Sequence, residues 1–152
     1  MCRKKAYLWI MDTEYSLEEL LGKPYWLIDV LPRRVPAGSP GRYFEIEKLF
    51  LSQIGSICGK FAAVLTKLNC YQDLLVSRDG EEWSVDLPVD VMVEHLEDSI
   101  VTHDPVYILV KPSGALIAFS GDDHYMTLYN PDGELLDLVS QLAASEGLFV
   151  WQ

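Results

Sequence analysis

Residues 106–120, VYILVKPSGALIAFS, decide the fold. Two apolar runs, Val106–Val110 and Ala115–Ser120, flank Lys111-Pro112-Ser113-Gly114, a connection made of turn residues throughout. So short a link joins antiparallel neighbours, because a parallel pair needs a long crossover. The reading is a β-hairpin. Downstream, Tyr125–Tyr129 adds a strand after Gly121-Asp122-Asp123-His124. Asn130-Pro131-Asp132-Gly133 is a turn or helix start, Leu135–Ala144 a helix and Leu148–Trp151 a closing strand.

Upstream, Asp73–Ser77 and Glu82–Asp86 flank Arg78-Asp79-Gly80-Glu81, whose Asp-Gly step suits the positive φ of a tight hairpin. Leu87-Pro88 then opens a helix, with Asp86 near its cap and Val89, Met92, Val93 and Leu96 on one face. From Tyr43 to Asn69 the apolar positions Ile46, Phe50, Ile54, Ile57, Phe61, Val64, Leu65 and Leu68 recur at three and four, the period of a helix with one buried face. Gly55 and Gly59 each weaken a helix interior by up to about 1 kcal/mol relative to Ala, which predicts a break near Leu51–Ser56. Pro32–Arg42, with its prolines and glycines, reads as a loop; Tyr25–Leu31 and Ala6–Met11 read as strands, and Leu17–Leu21 as a short helical turn behind Ser16.

Hairpins interrupted by helices predict one α+β domain over residues 1–152: a mostly antiparallel sheet of about five to seven strands with two to four helices packed against it. A chain of 152 residues buries roughly two-thirds of the surface its unfolded form exposes, so no staples are required. Cys2, Cys58 and Cys70 lack the paired spacing of a zinc or redox motif and read as reduced thiols. No segment reaches the roughly 18 apolar residues a bilayer span requires, and only the short run Ala6–Met11 follows the basic start. These features predict a cytoplasmic protein, in a reducing cytosol that is most simply a bacterial one or a host cell's, without a membrane partner.

The net charge of -11 is unevenly distributed: residues 1–67 hold ten Lys and Arg against seven Asp and Glu, whereas the remainder holds only Arg78 and Lys111 against sixteen acids. Such a half repels nucleic acids and anionic membranes within about a Debye length and speeds encounter with a basic protein. It also serves solubility alone. The expectation is a non-enzymatic acidic module of the inhibitor or immunity type. It would block the basic site of a nuclease or other nucleic-acid-binding defence protein through Asp79, Glu81, Glu82, Trp83, Glu94, Glu97 and Asp98. No cofactor or metal is expected.

Two other classes are compatible with the residues. A small metal-assisted hydrolase or transferase would use His95, Asp98, His103, Asp104 and His124, although the helical pair of histidines four apart that marks many zinc sites is missing. A structural or regulatory subunit without activity of its own is the other. Arg33, Arg34 and Arg42 form a candidate anion site, without Walker spacing around them. Ser39 is followed by Pro40, which lacks the backbone N–H of a nucleophile elbow.

Overall fold

The computed structural model describes residues 15–38 and 40–152. In chain order they form α1 (Leu17–Leu21), β1 (Tyr25–Asp29), α2 (Pro40–Ser52), α3 (Ile54–Leu68), β2 (Asp73–Ser77), β3 (Ser84–Val85), α4 (Val89–Thr102), β4 (Val106–Lys111), β5 (Ala115–Phe119), β6 (Tyr125–Tyr129), α5 (Gly133–Ser145) and β7 (Phe149–Trp151). The strands make one open antiparallel sheet in the order β3-β2-β4-β5-β6-β1-β7. The chain has an α+β fold. The expected strand Ala6–Met11 lies outside the described residues.

The hairpin of residues 106–120 is the middle of this sheet, with Ile108 opposite Ile117 and Leu109 opposite Leu116. Its even-numbered β4 side chains, Val106, Ile108 and Val110, are fully buried under the helices, together with Ile117 and Phe119. α3 supplies most of the opposing surface: Phe61 packs on Phe119 with ring centroids 5.7 Å apart. Leu75, Leu109 and Leu116 point the other way and are capped by Leu20 of α1, with Trp83 and Tyr129 beside them. Apolar side chains on both faces explain why these strands read as continuous runs rather than as an alternation.

α1 is held by a reciprocal cap: the Glu19 N–H donates to Ser16 Oγ (3.2 Å) and the Ser16 N–H donates to Glu19 Oε2 (2.8 Å). Ser16→Ala is expected to cost about 1 kcal/mol in urea denaturation. The break expected near Leu51–Ser56 occurs at Gln53, where α2 and α3 meet at 82°. Gly80 takes the positive φ expected of its hairpin (79°).

Some boundaries differ from expectation. α2 begins at Pro40, inside the expected loop, because the first helical turn needs no N–H from proline. Pro88, not Asp86, is the N-cap of α4; Asp86 takes φ 53° and caps nothing. On α4, Met92 and Leu96 are buried and Val93 half-buried, but Val89 stays exposed. β3 and β7, the two margins of the sheet, are only two and three residues long. Among the described residues no single helix is long and apolar enough to cross a membrane.

Candidate functional site

Between residues 78 and 98 the chain carries eight carboxylates and one base, Arg78. The antiparallel return of β2 into β3 sets the hairpin beside α4. The two meet around a hollow of ≈ 170 Å³ lined by Ser77, Arg78, Asp79, Glu82, Ser84 and His95. Arg78 is engaged from the helix side, with Asp98 Oδ2 at 3.9 Å, His95 Nδ1 at 3.4 Å and Thr102 Oγ1 at 3.5 Å. Burial and the neighbouring Arg78 charge hold His95 below the ordinary imidazole range, against the opposing pull of Asp98 and Glu94. His95 thus adds no positive charge to this face at neutral pH.

Asp79, Glu81, Glu82, Glu94 and Asp98 are all exposed, and Glu94 and Asp98 share a helical face with Asp90. Asp79 also builds the turn: its Oδ1 accepts from the Glu81 N–H (2.8 Å), the Glu82 N–H (2.9 Å) and Ser77 Oγ (3.0 Å). The Glu82 and Glu81 amides hold its carboxyl below the usual carboxylate range. Glu97 leans toward α3 near Gly55 and is half-buried. Trp83 is half-buried against the second core. The other acids beyond residue 67 do not all join this face: Glu146 pairs with Lys67 (2.6 Å), Asp122 with His103 (2.7 Å), and Asp132 caps α5.

The histidines sit in three places. His95 faces Arg78, His103 pairs with Asp122, and His124 turns into a separate cleft. Asp104 is exposed at the end of α4, where its carbonyl accepts from Ser99 Oγ (2.5 Å). Among the described residues no group of three His, Cys, Asp or Glu side chains converges on a metal position. Cys58 is buried, which pushes its thiol up to about 12, and Cys70 is exposed.

The cleft, of ≈ 440 Å³, lies over the open face of β6, β1 and β7. Its floor is Asp29, the last residue of β1, which stands opposite Tyr125 of β6 and Phe149 of β7. Asp29 is 2% exposed and His124 7%. The Trp151 indole N–H donates to Asp29 Oδ2 (3.2 Å), His124 Nε2 stands 3.8 Å from Asp29 Oδ1, and Tyr43 Oη is 3.5 Å from the same Nε2. Among the described residues Asp29 Oδ1 has no hydrogen-bond partner in good geometry, although the Leu31 and Val30 amides lie close to the carboxyl. The bend at Gln53 swings α2 so that Tyr43 and Phe50 flank the imidazole edge-on.

Arg33 and Arg34 line the same cleft and are exposed, and neither forms an ion pair among the described residues; Arg42, on α2, lies outside it. Burial pushes the Tyr125 phenol up to about 12, aided by Asp123, and raises Tyr43, aided by Glu47. Both phenols stay O–H donors at neutral pH. The side chains that line the cleft among the described residues carry carboxylate, imidazole, phenol, indole and guanidinium groups, which suit binding and proton exchange. No local pattern in the sequence marks Asp29, Tyr43 or Trp151 as a site; a carboxylate ending the apolar strand YWLID is the available signal.

Burial raises the Asp29 carboxyl above its ordinary 3.8, opposed by the neighbouring Leu31 amide, His124 and the Trp151 indole. The folded chain keeps this proton to higher pH than the unfolded chain. The stability tied to it is therefore full below about 3.8 and declines as pH rises through the folded value. Asp29→Asn is expected to stabilise the protein by about 1 kcal/mol at pH 7, with the gain closing as pH falls below that range; thermal melts across pH read it.

Compared with known families, curated proteins and solved structures, the chain shows no significant match to any.

Proposed function

We propose that the chain is a non-enzymatic binding protein of the inhibitor or immunity type, acting in the bacterial cytoplasm. Its acidic face occupies the basic, nucleic-acid-binding groove of a nuclease or related defence protein. One observation carries the reading: the hairpin and α4 present the exposed carboxylates of Asp79, Glu81, Glu82, Glu94 and Asp98 with Arg78, already engaged by Asp98, as the one Lys or Arg of these two segments. Carboxylates gathered on one face attract a basic groove and repel nucleic acid and anionic membranes. Trp83, wedged behind them, supplies a rigid apolar support.

The test uses two baits, the native chain and the triple variant Glu81→Lys, Glu82→Lys, Glu94→Lys, in cross-linked capture from the source cells. Native bait should retain a protein with a basic groove that the variant releases, and the purified pair should lose nuclease activity on mixing. Equal recovery of the same proteins by both baits would defeat the proposal.

A further inference from the structure

A buried carboxylate oxygen without a partner is costly, and Asp29, though almost wholly buried, belongs to the lining of the cleft. Asp29 Oδ2 is satisfied by Trp151; among the described residues Oδ1 has only the poorly aligned amides of Leu31 and Val30 near it, and the imidazole at 3.8 Å is beyond hydrogen-bond reach. An N–H donor entering the cleft would complete it once the His124 imidazole beside Oδ1 shifts to admit it. Tyr25, Tyr125 and Trp151 offer flat apolar surface for a planar ring. At the exposed rim, Arg33 and Arg34 offer two guanidinium forks suited to an anionic oxygen cluster. The cleft volume of ≈ 440 Å³ falls in the range of small-molecule sites.

We propose that this cleft binds a nucleoside phosphate, with a base N–H donated to Asp29 Oδ1, the ring against Tyr125 and Trp151, and the phosphate on Arg33 and Arg34. The site is distinct from the acidic face, and it holds or falls without reference to the partner-binding proposal. The net charge of -11 opposes any anion at long range, so the two arginines must outweigh it locally and salt should weaken binding.

The probes are guanosine, adenosine, cytidine and uridine monophosphates, each titrated into the full chain by calorimetry and by tryptophan fluorescence. Ribose 5-phosphate supplies the phosphate without the ring, free nucleosides the ring without the phosphate, and inorganic phosphate the anion alone. At least one nucleotide should bind at least tenfold tighter than its nucleoside and than ribose 5-phosphate. The pair Arg33→Ala, Arg34→Ala should erase the advantage over the nucleoside. Asp29→Asn, which preserves shape, should weaken the nucleotide and nucleoside together by about tenfold, and Trp151→Phe should weaken both as an independent check. Three results overturn the proposal: no heat or fluorescence change at millimolar nucleotide, inorganic phosphate binding as tightly as every nucleotide, or affinities untouched by both the arginine and Asp29 changes in variants whose circular dichroism is native.

Discussion

Gly121→Ala is expected to cost roughly 3 kcal/mol of stability, read as a fall in the urea midpoint of about 1.5 M. Gly121 begins the β5–β6 turn, which presses directly on the last turns of α4. An added methyl group there would meet the Ser99 carbonyl and the Cα of Ile100, backbone atoms that cannot rotate aside. The junction is also hydrogen-bonded: the Gly121 N–H donates to Ser99 Oγ (3.0 Å), and that hydroxyl donates to the Asp104 carbonyl (2.5 Å). Ser99 is fully buried, so losing these bonds leaves polar groups without water. The control is Gly59→Ala within α3, where a methyl group meets nothing within 4 Å. It should stabilise by up to about 1 kcal/mol through helix propensity alone. Equal effects at the two glycines would refute the close packing of turn on helix. Because Asp122, Asp123 and His124 follow Gly121, the variant should also disturb the cleft.

The triple variant Glu81→Lys, Glu82→Lys, Glu94→Lys is expected to slow association with the captured partner by about 10- to 100-fold at low salt. All three side chains are exposed, and none holds the hairpin turn, which depends on Asp79. The fold should therefore persist, with an unchanged melting temperature. Steering acts on the encounter, so the rates of native chain and variant should converge near 0.5 M salt, where the Debye length is only about 4 Å. Dissociation should change less than association. Stopped-flow traces at two salt concentrations decide the matter. Indistinguishable association rates at low salt would remove the electrostatic basis of the proposed function.

Periodicity and turn chemistry carried much of the architecture. The VYILV and ALIAF runs pair in the expected hairpin, the spacing from Ile46 to Leu68 is helical, and the Gly55 region marks the bend. Boundaries drifted where a cap competed with propensity, as at Pro40 and Pro88. The acidic face was legible because its members are close in sequence and alternate between a hairpin and one helical stripe. The cleft was not. Asp29 and His124 are joined only by the pairing of β1 with β6, and Tyr43 reaches them through an 82° bend whose direction no local pattern specifies. Loop composition points to Arg33, Arg34 and Arg42 as one anion site, whereas in the fold only Arg33 and Arg34 line the cleft.

The narrow strands that finish the sheet have a bearing on self-association. β3 spans Ser84–Val85 and β7 spans Phe149–Trp151, so each rim offers a foreign strand a rung or two of free amides and carbonyls. One rim further lies beside the Asp79–Asp86 carboxylates, where a second copy would bring like charge against like. Among the described residues, growth of the sheet from molecule to molecule, the first step toward fibrils, is thereby starved of template at both ends.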